Sequence, residues 1–305
     1  MKNKFKFVFL LGMIMLSGLS MLSCSNDDDD DSGRGSKGVG VLDKSTGLRV
    51  KSVGNYNYVY QEDGRLLRCT NGKDRWEFSY NPDKIVHIEN GDYGNAKEST
   101  VTYNGNGYVS SLNCSWKGGN DDDYIEETLN DIFSYDGNGH LTKVVRTQET
   151  NYVNTGYLIN ATVTNTLTWS NNLLLKVVET IEGSLTDNTS KILSKSSDVN
   201  TYSFSYDNEA MTNYENKYLQ YAYGFTAYYF TKFYVCLFCV GLLGNGPAYL
   251  PSSSEHVENS WPHHYRYVFN SYGAISKDYE EASLKASYSY DHVEGSSDGT
   301  SPFTR

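Results

Sequence analysis

Cysteine, proline and long apolar runs are all scarce in this chain. Five cysteines in 305 residues are too few for the disulfide-dense frame of a small secreted domain. Five prolines leave long stretches free of the residue that breaks strand ladders. Basic residues are outnumbered, 26 Lys and Arg against 37 Asp and Glu, for a net charge of -11. That balance argues against nucleic acid and against a bare anionic membrane as partners. Phe7 to Leu22 is too short and too interrupted by Gly and Ser for a comfortable bilayer span, which needs about 20 residues. The later apolar run, Phe233 to Leu243, is shorter still and follows Lys232. What the chain has instead is tyrosine, 27 of them, and glycine, also 27.

Lys2, Lys4 and Lys6 precede the first apolar run, so residues 1-23 have the layout of a signal peptide. The run ends Met21-Leu22-Ser23-Cys24, which resembles the lipobox cut to leave a lipidated N-terminal cysteine, with Cys24 as the attachment site. Loss of three lysines and no acid takes the charge from -11 to -14 in the mature chain. The run Asp27, Asp28, Asp29, Asp30, Asp31 repels itself and stays solvated. It is similar to the acidic signal that follows the lipidated cysteine of surface-exposed Bacteroidota lipoproteins. That resemblance implies display on the outer face of the outer membrane, with the periplasmic face as the alternative. Residues 24-45 are therefore a lipidated, acidic, Gly/Ser-rich tether, 46-293 one β domain, and 294-305 a disordered tail.

One pattern recurs through the domain: alternating aromatics ending in Tyr, a turn of Asp, Asn and Gly, then an apolar strand back. Phe133-Ser134-Tyr135 with Asp136-Gly137-Asn138-Gly139 and Leu141 is the clearest copy, and Val101-Thr102-Tyr103 with Asn104-Gly105-Asn106-Gly107 is another. Further copies end at Tyr60, Tyr80, Trp169, Tyr206 and Phe269. Alternate residues of a strand share a face, so Trp76, Phe78 and Tyr80 form an apolar side while Glu77 and Ser79 meet water. Gly and Asn supply the positive φ of tight hairpins. Hairpins are marginal alone, so the copies must join. The expected fold is all-β dominant: an antiparallel meander forming a strongly curved sheet or partial barrel. From 218 to 250 the turn residues vanish and apolar residues crowd together, which predicts a helical or irregular segment packed on the concave face.

With these hairpins, the lipobox and Gly241-Leu242-Leu243-Gly244 leading to Leu250-Pro251-Ser252-Ser253, the chain resembles a family of Bacteroidota outer-membrane lipoproteins. These carry the domain of unknown function numbered 4595, described as having a porin-like fold. The resemblance covers about Val50 to Val293 and implies a curved antiparallel sheet with an internal helix. It implies no activity.

Chemical motifs fare poorly. Gly33 to Gly38 fits a dinucleotide-binding pattern but lies in the tether, and Gly295 to Gly299 fits a nucleophile elbow but lies in the tail. Cys236 and Cys239 have redox spacing inside an apolar run, where packing is the expected role. His256, His263 and His264, with Glu255 and Glu258, lack zinc spacing, and Asp121 to Asp123 lack that of a calcium loop. Cys114 alternates with polar neighbours as an inward residue, so it and Cys69 are expected to be buried thiols, a pairing between them being the alternative. No catalytic, metal or cofactor site is expected. The expected function is a binding or structural module for a glycan, a peptide or a partner protein, tied to the membrane through Cys24. The alternative is a carrier of an apolar ligand or lipid on the concave face, with the 218-250 segment as its lid.

Overall fold

The computed structural model describes residues 42-43, 48-89, 91, 96-119, 124-207, 237-238, 240-271 and 274-292. Their hairpins follow one another as β1 (Leu42–Asp43), β2 (Leu48–Val53), β3 (Tyr56–Tyr60), β4 (Leu66–Asn71), β5 (Asp74–Tyr80) and β6 (Asp83–Ile88). The next are β7 (Lys97–Tyr103), β8 (Val109–Gly118), β9 (Ile125–Tyr135), β10 (Leu141–Tyr152), β11 (Tyr157–Ser170) and β12 (Leu173–Thr186). The last are β13 (Ile192–Ser205), β14 (Ser253–His256), β15 (Trp261–Phe269), β16 (Ile275–Glu280) and β17 (Ser283–His292). Each strand pairs antiparallel with the next, as the hairpin repeat requires.

The sheet is not a partial barrel but a closed one. β17 pairs with β2, from Tyr288 opposite Val53 to His292 opposite Leu48, so 16 strands form a ring with β1 added on β2. The physical cause lies at the turns. In five hairpins the aromatic at or next to the end of one strand pairs with an apolar residue at the start of the next, and the residue after that one is skipped. Tyr60 opposes Leu66, Tyr103 Val109, Tyr135 Leu141, Trp169 Leu174 and Phe269 Ile275. Such a bulge bends the strand and increases its twist, and repeating it around one rim curves the sheet until its edges meet. The skipped residue closes its own turn in three cases: Ser110, Thr142 and Ser276 donate to the carbonyls of Thr102, Ser134 and Val268 at 3.0 to 3.1 Å.

The terminal aromatics stitch neighbouring hairpins together. Tyr60, Tyr80, Tyr135, Tyr206 and Tyr290 donate their hydroxyls to the carbonyls of Val50, Leu66, Val109, Leu174 and Ile275, and the Trp169 indole to that of Leu141, all within 2.6 to 3.0 Å. Asp and Asn of the turns accept backbone N–H groups. Asn104 Oδ1 takes those of Asn106 and Tyr108, and Asp136 Oδ1 takes those of Asn138 and His140.

Toward the bulged rim the wall is apolar inside, and its outer face is mostly polar, with scattered exposed apolar residues such as Val59, Leu67, Leu175, Val268 and Leu284. Inward residues such as Trp76, Phe78, Leu112, Phe133, Val163 and Leu167 are buried, while their outward neighbours on β9 to β12 include Thr128, Asn130, Thr147, Glu149, Thr162, Thr166, Thr180 and Glu182. The inner face at the bulged rim closes around the chain between β13 and β14. Leu237, Phe238, Val240, Leu242, Leu243 and Leu250, each at most 2% exposed, join one core with residues from β2 through β17. Most of the predicted apolar segment, residues 218-236, lies outside the described residues. Among the described residues of the segment Leu237 and Phe238 are helical, and 240-250 take the irregular form, running as turns and irregular chain. Glycines explain the irregular part: Gly241 and Gly244 sit at φ 75° and 88°, which a helix cannot hold.

Candidate functional site

Away from the bulged rim the inner face changes character and becomes a polar collar. On β9 and β10, Asp131 is paired with Arg146 at 2.9 Å, both nearly buried. Glu127 is held by Lys97, whose ammonium also lies 4.7 Å from the Trp116 ring, and by Gln148 Nε2 at 2.7 Å. Gln148 Nε2 also donates to Thr150 at 2.8 Å. These two acceptors fix the amide's orientation, so its Oε1 is a genuine acceptor. That atom and Asn165 Oδ1 are buried and have no hydrogen-bond partner among the described residues. Gln148 and Asn165 are 6% and 3% exposed, so each leaves a desolvated carbonyl that a water or ligand donor would satisfy.

The row continues across β11 to β13. Asn165 faces Glu179, and Glu179 faces Asn200. Asn200 Nδ2 donates to Glu179 Oε1 at 3.1 Å, while its Oδ1 lies 3.2 Å from His256 Nε2. Burial raises the Glu179 pKa, partly opposed by that hydrogen bond. His256 stacks on Tyr202, with ring centres 4.8 Å apart. Beside it Glu258, in the 3-10 turn Val257–Asn259, takes the Thr201 N–H at 2.7 Å, and this bond lowers its pKa. On the other side of the ring His263 and Lys285 hold Glu280, and Tyr288 donates to Asp278 at 2.7 Å. The collar's acids are thus largely neutralised by partners. The arrangement suits hydrogen bonding to a polar ligand at a barrel mouth better than proton transfer.

The residues singled out in the sequence are distributed as follows. Cys24 and Asp27, Asp28, Asp29, Asp30 and Asp31 lie outside the described residues, as do Asp121 to Asp123, Cys236, Cys239 and the two glycine motifs. Cys69 and Cys114 are buried and not joined in a disulfide, and burial pushes the Cys114 thiol up in pKa. The histidine cluster separates because neighbours on a strand face opposite ways: His263 pairs with buried Glu280, whereas the adjacent His264 lies on the other face of β15. Among the described residues no three His, Cys, Asp or Glu side chains come together as a metal site. The collar itself was missed, although its members keep the inward phase of Phe133 and Val144. One small pocket of about 160 Å³, lined by Thr70, Lys73, Asp74, Arg75 and Ile88 among others, sits by the turn between β4 and β5. It is below the usual size of a ligand site.

No protein family matches the chain by sequence, and no curated protein does. Among solved structures, a porin-like protein from Bacteroides vulgatus is 11% identical, with a TM-score of 0.47 over 80% of this chain and 98% of that one. A porin-like protein from Bacteroides uniformis is 16% identical, with a TM-score of 0.46 over 77% of this chain and 89% of that one.

Proposed function

We propose that the chain is a lipid-anchored outer-membrane protein whose barrel stands in water at the cell surface as a binding module, with the polar collar as its binding end. The observation that carries this reading is the polarity of the wall. A barrel that spans a membrane turns an apolar band outward, and a Lys or Arg on the lipid face at mid-depth costs about 2 to 4 kcal/mol. Here the outer wall carries Lys84 paired with Glu98 at 2.5 Å, and threonine after threonine on β11, while the aromatics point in. Such a barrel needs another attachment, and Cys24 behind its lipobox supplies one, with the Asp27 to Asp31 run as the export signal. The hairpin repeat supports grouping it with the lipoproteins of the domain of unknown function numbered 4595.

The collar's acceptors and half-buried aromatics suit a glycan or a peptide. The carrier reading is weaker, because Phe238, Leu242 and Leu243 already pack the apolar half. Labelled palmitate tests the anchor: Cys24→Ala should lose incorporation, and Asp27 to Asp31 changed to Ala should keep it while losing protease accessibility on whole cells. Full incorporation in Cys24→Ala would overturn the anchor, and equal accessibility would overturn surface display.

A further inference from the structure

β13 is 14 residues long, pairs with β12 over 11 register positions, and meets β14 only from Tyr202 to Ser205. Among the described residues its edge from Ile192 to Thr201 therefore carries no strand. The side of the chain that points off this edge can be identified. Thr201 N–H goes to Glu258 and Val199 N–H to Asp198 Oδ1 at 2.9 Å, while Ser205 O accepts from Ser252 on the β14 side. Backbone groups alternate along a strand, so Lys195 and Ser197 also present their N–H and C=O to the open edge, up to the bulge at Leu193. Exposed apolar side chains gather there as well. Ile192, Leu193 and Val199 are 51%, 43% and 46% exposed, and Val257 in the turn beside β13 is 47% exposed. A long edge with exposed apolar residues is a template for another strand.

We infer that this edge pairs with the same edge of a second copy, making one continuous antiparallel sheet across a twofold axis. The sequence of the edge chooses the partner and the register. Two antiparallel copies can bond only where odd residues face odd ones. Centring the axis on Ser196 sets Lys195 against the partner copy's Ser197 and brings Leu193, at the bulge, beside its Val199, each contact occurring twice. Asp198 then faces Ser194, so no like charges oppose one another, and Leu193 and Val199 cover each other. A second copy satisfies the open ladder without demanding a foreign sequence. The Asp198 carboxylate releases the Val199 N–H when the strands meet.

The test uses the whole chain, extracted from its envelope in mild detergent. Sedimentation velocity should show a dimer that forms at micromolar concentration. Lys195→Pro should weaken it by about tenfold or more, since it deletes a donor that β12 does not use and leaves the barrel's melting curve intact. The pair Leu193→Cys and Val199→Cys should give a covalent dimer with a short bismaleimide, which the parent chain should not. A chain that stays monomeric overturns the inference. So does a dimer that survives Lys195→Pro without cross-linking at these positions, and so does an edge that takes only foreign extended peptides.

Discussion

Gly244 and Gly139 lie so close that a Cβ on Gly244 would stand 2.4 Å from the Gly139 carbonyl oxygen. The contact joins the apolar chain inside the barrel to the turn between β9 and β10. Asn245 N–H donates to that same oxygen at 2.8 Å, and Asn245 Nδ2 to the Asn138 carbonyl at 2.7 Å. Tyr108 O–H reaches Asn245 Oδ1 at 3.1 Å, and Val109 N–H reaches the Leu242 carbonyl at 2.8 Å. The interior chain is thereby latched to two hairpins at the bulged rim.

Gly244→Ala should therefore loosen the latch, costing roughly 2 kcal/mol or more, because the methyl group meets backbone and φ is 88°. Gly105→Ala, with nothing within 4 Å of its Cβ, should stay within about 0.5 kcal/mol. Urea midpoints of the two variants check this, and equal midpoints would refute the latch.

Phe238→Asp should unfold most of the barrel. Phe238 is fully buried in the main core, where lost packing costs about 3 to 5 kcal/mol and an unpaired carboxylate adds several more. Lys195→Glu, on the exposed outer side of β13, should shift the midpoint by no more than about 0.5 kcal/mol. A mobile lid at Phe238 would instead leave the midpoint unchanged.

Thr166→Arg and Leu167→Arg separate the two faces of one strand. Thr166 is exposed and Leu167 is 4% exposed. The first should be silent in stability and in membrane association, and the second severely destabilising. A lipid-facing wall would penalise Thr166→Arg by about 2 to 4 kcal/mol, measured as loss of the folded form in vesicles.

Alkali should act through the tyrosines. Burial raises the pKa of Tyr80, Tyr103 and Tyr206 well above the ordinary value of 10.0. In the unfolded chain these hydroxyls ionise near pH 10, so above it the unfolded state holds fewer protons than the folded one and stability falls as pH rises. Below pH 10 their contribution is fully present. Chemical denaturation between pH 8 and 11 should show that decline. Tyr206→Phe should flatten it while costing about 0.5 to 1.5 kcal/mol at neutral pH for the lost bond to Leu174. A profile identical to the parent would count against the burial of Tyr206.

The hairpins were legible because their cause is local. Tyr135, Asp136, Gly139 and Leu141 carry the strand end, the loop acceptor, the positive φ and the inward return within seven positions. Closure was not legible, because Ser52 and Ser289 meet across 237 positions with no local signal. The bulges left only a faint one, a Ser or Thr at 110, 142 and 276. The collar was partly legible: Asp131, Arg146 and Gln148 lie two or four places from Phe133 and Val144, in the same inward phase. Polar type suggested water, and only the pairing between strands shows that Asp131 and Arg146 neutralise each other.

The seam between β2 and β17 also sets an order of events. Every other ladder joins consecutive strands and can zip as soon as both have emerged, but the seam must wait for the last strand. Until then β2 keeps an open edge while the meander grows beside it, so ring closure, which must overcome loop entropy, is the expected slow step of folding. Chains in which that edge is still exposed are the species most prone to aggregate. A helper that shields a single β-edge until the last strand arrives would act on this step alone.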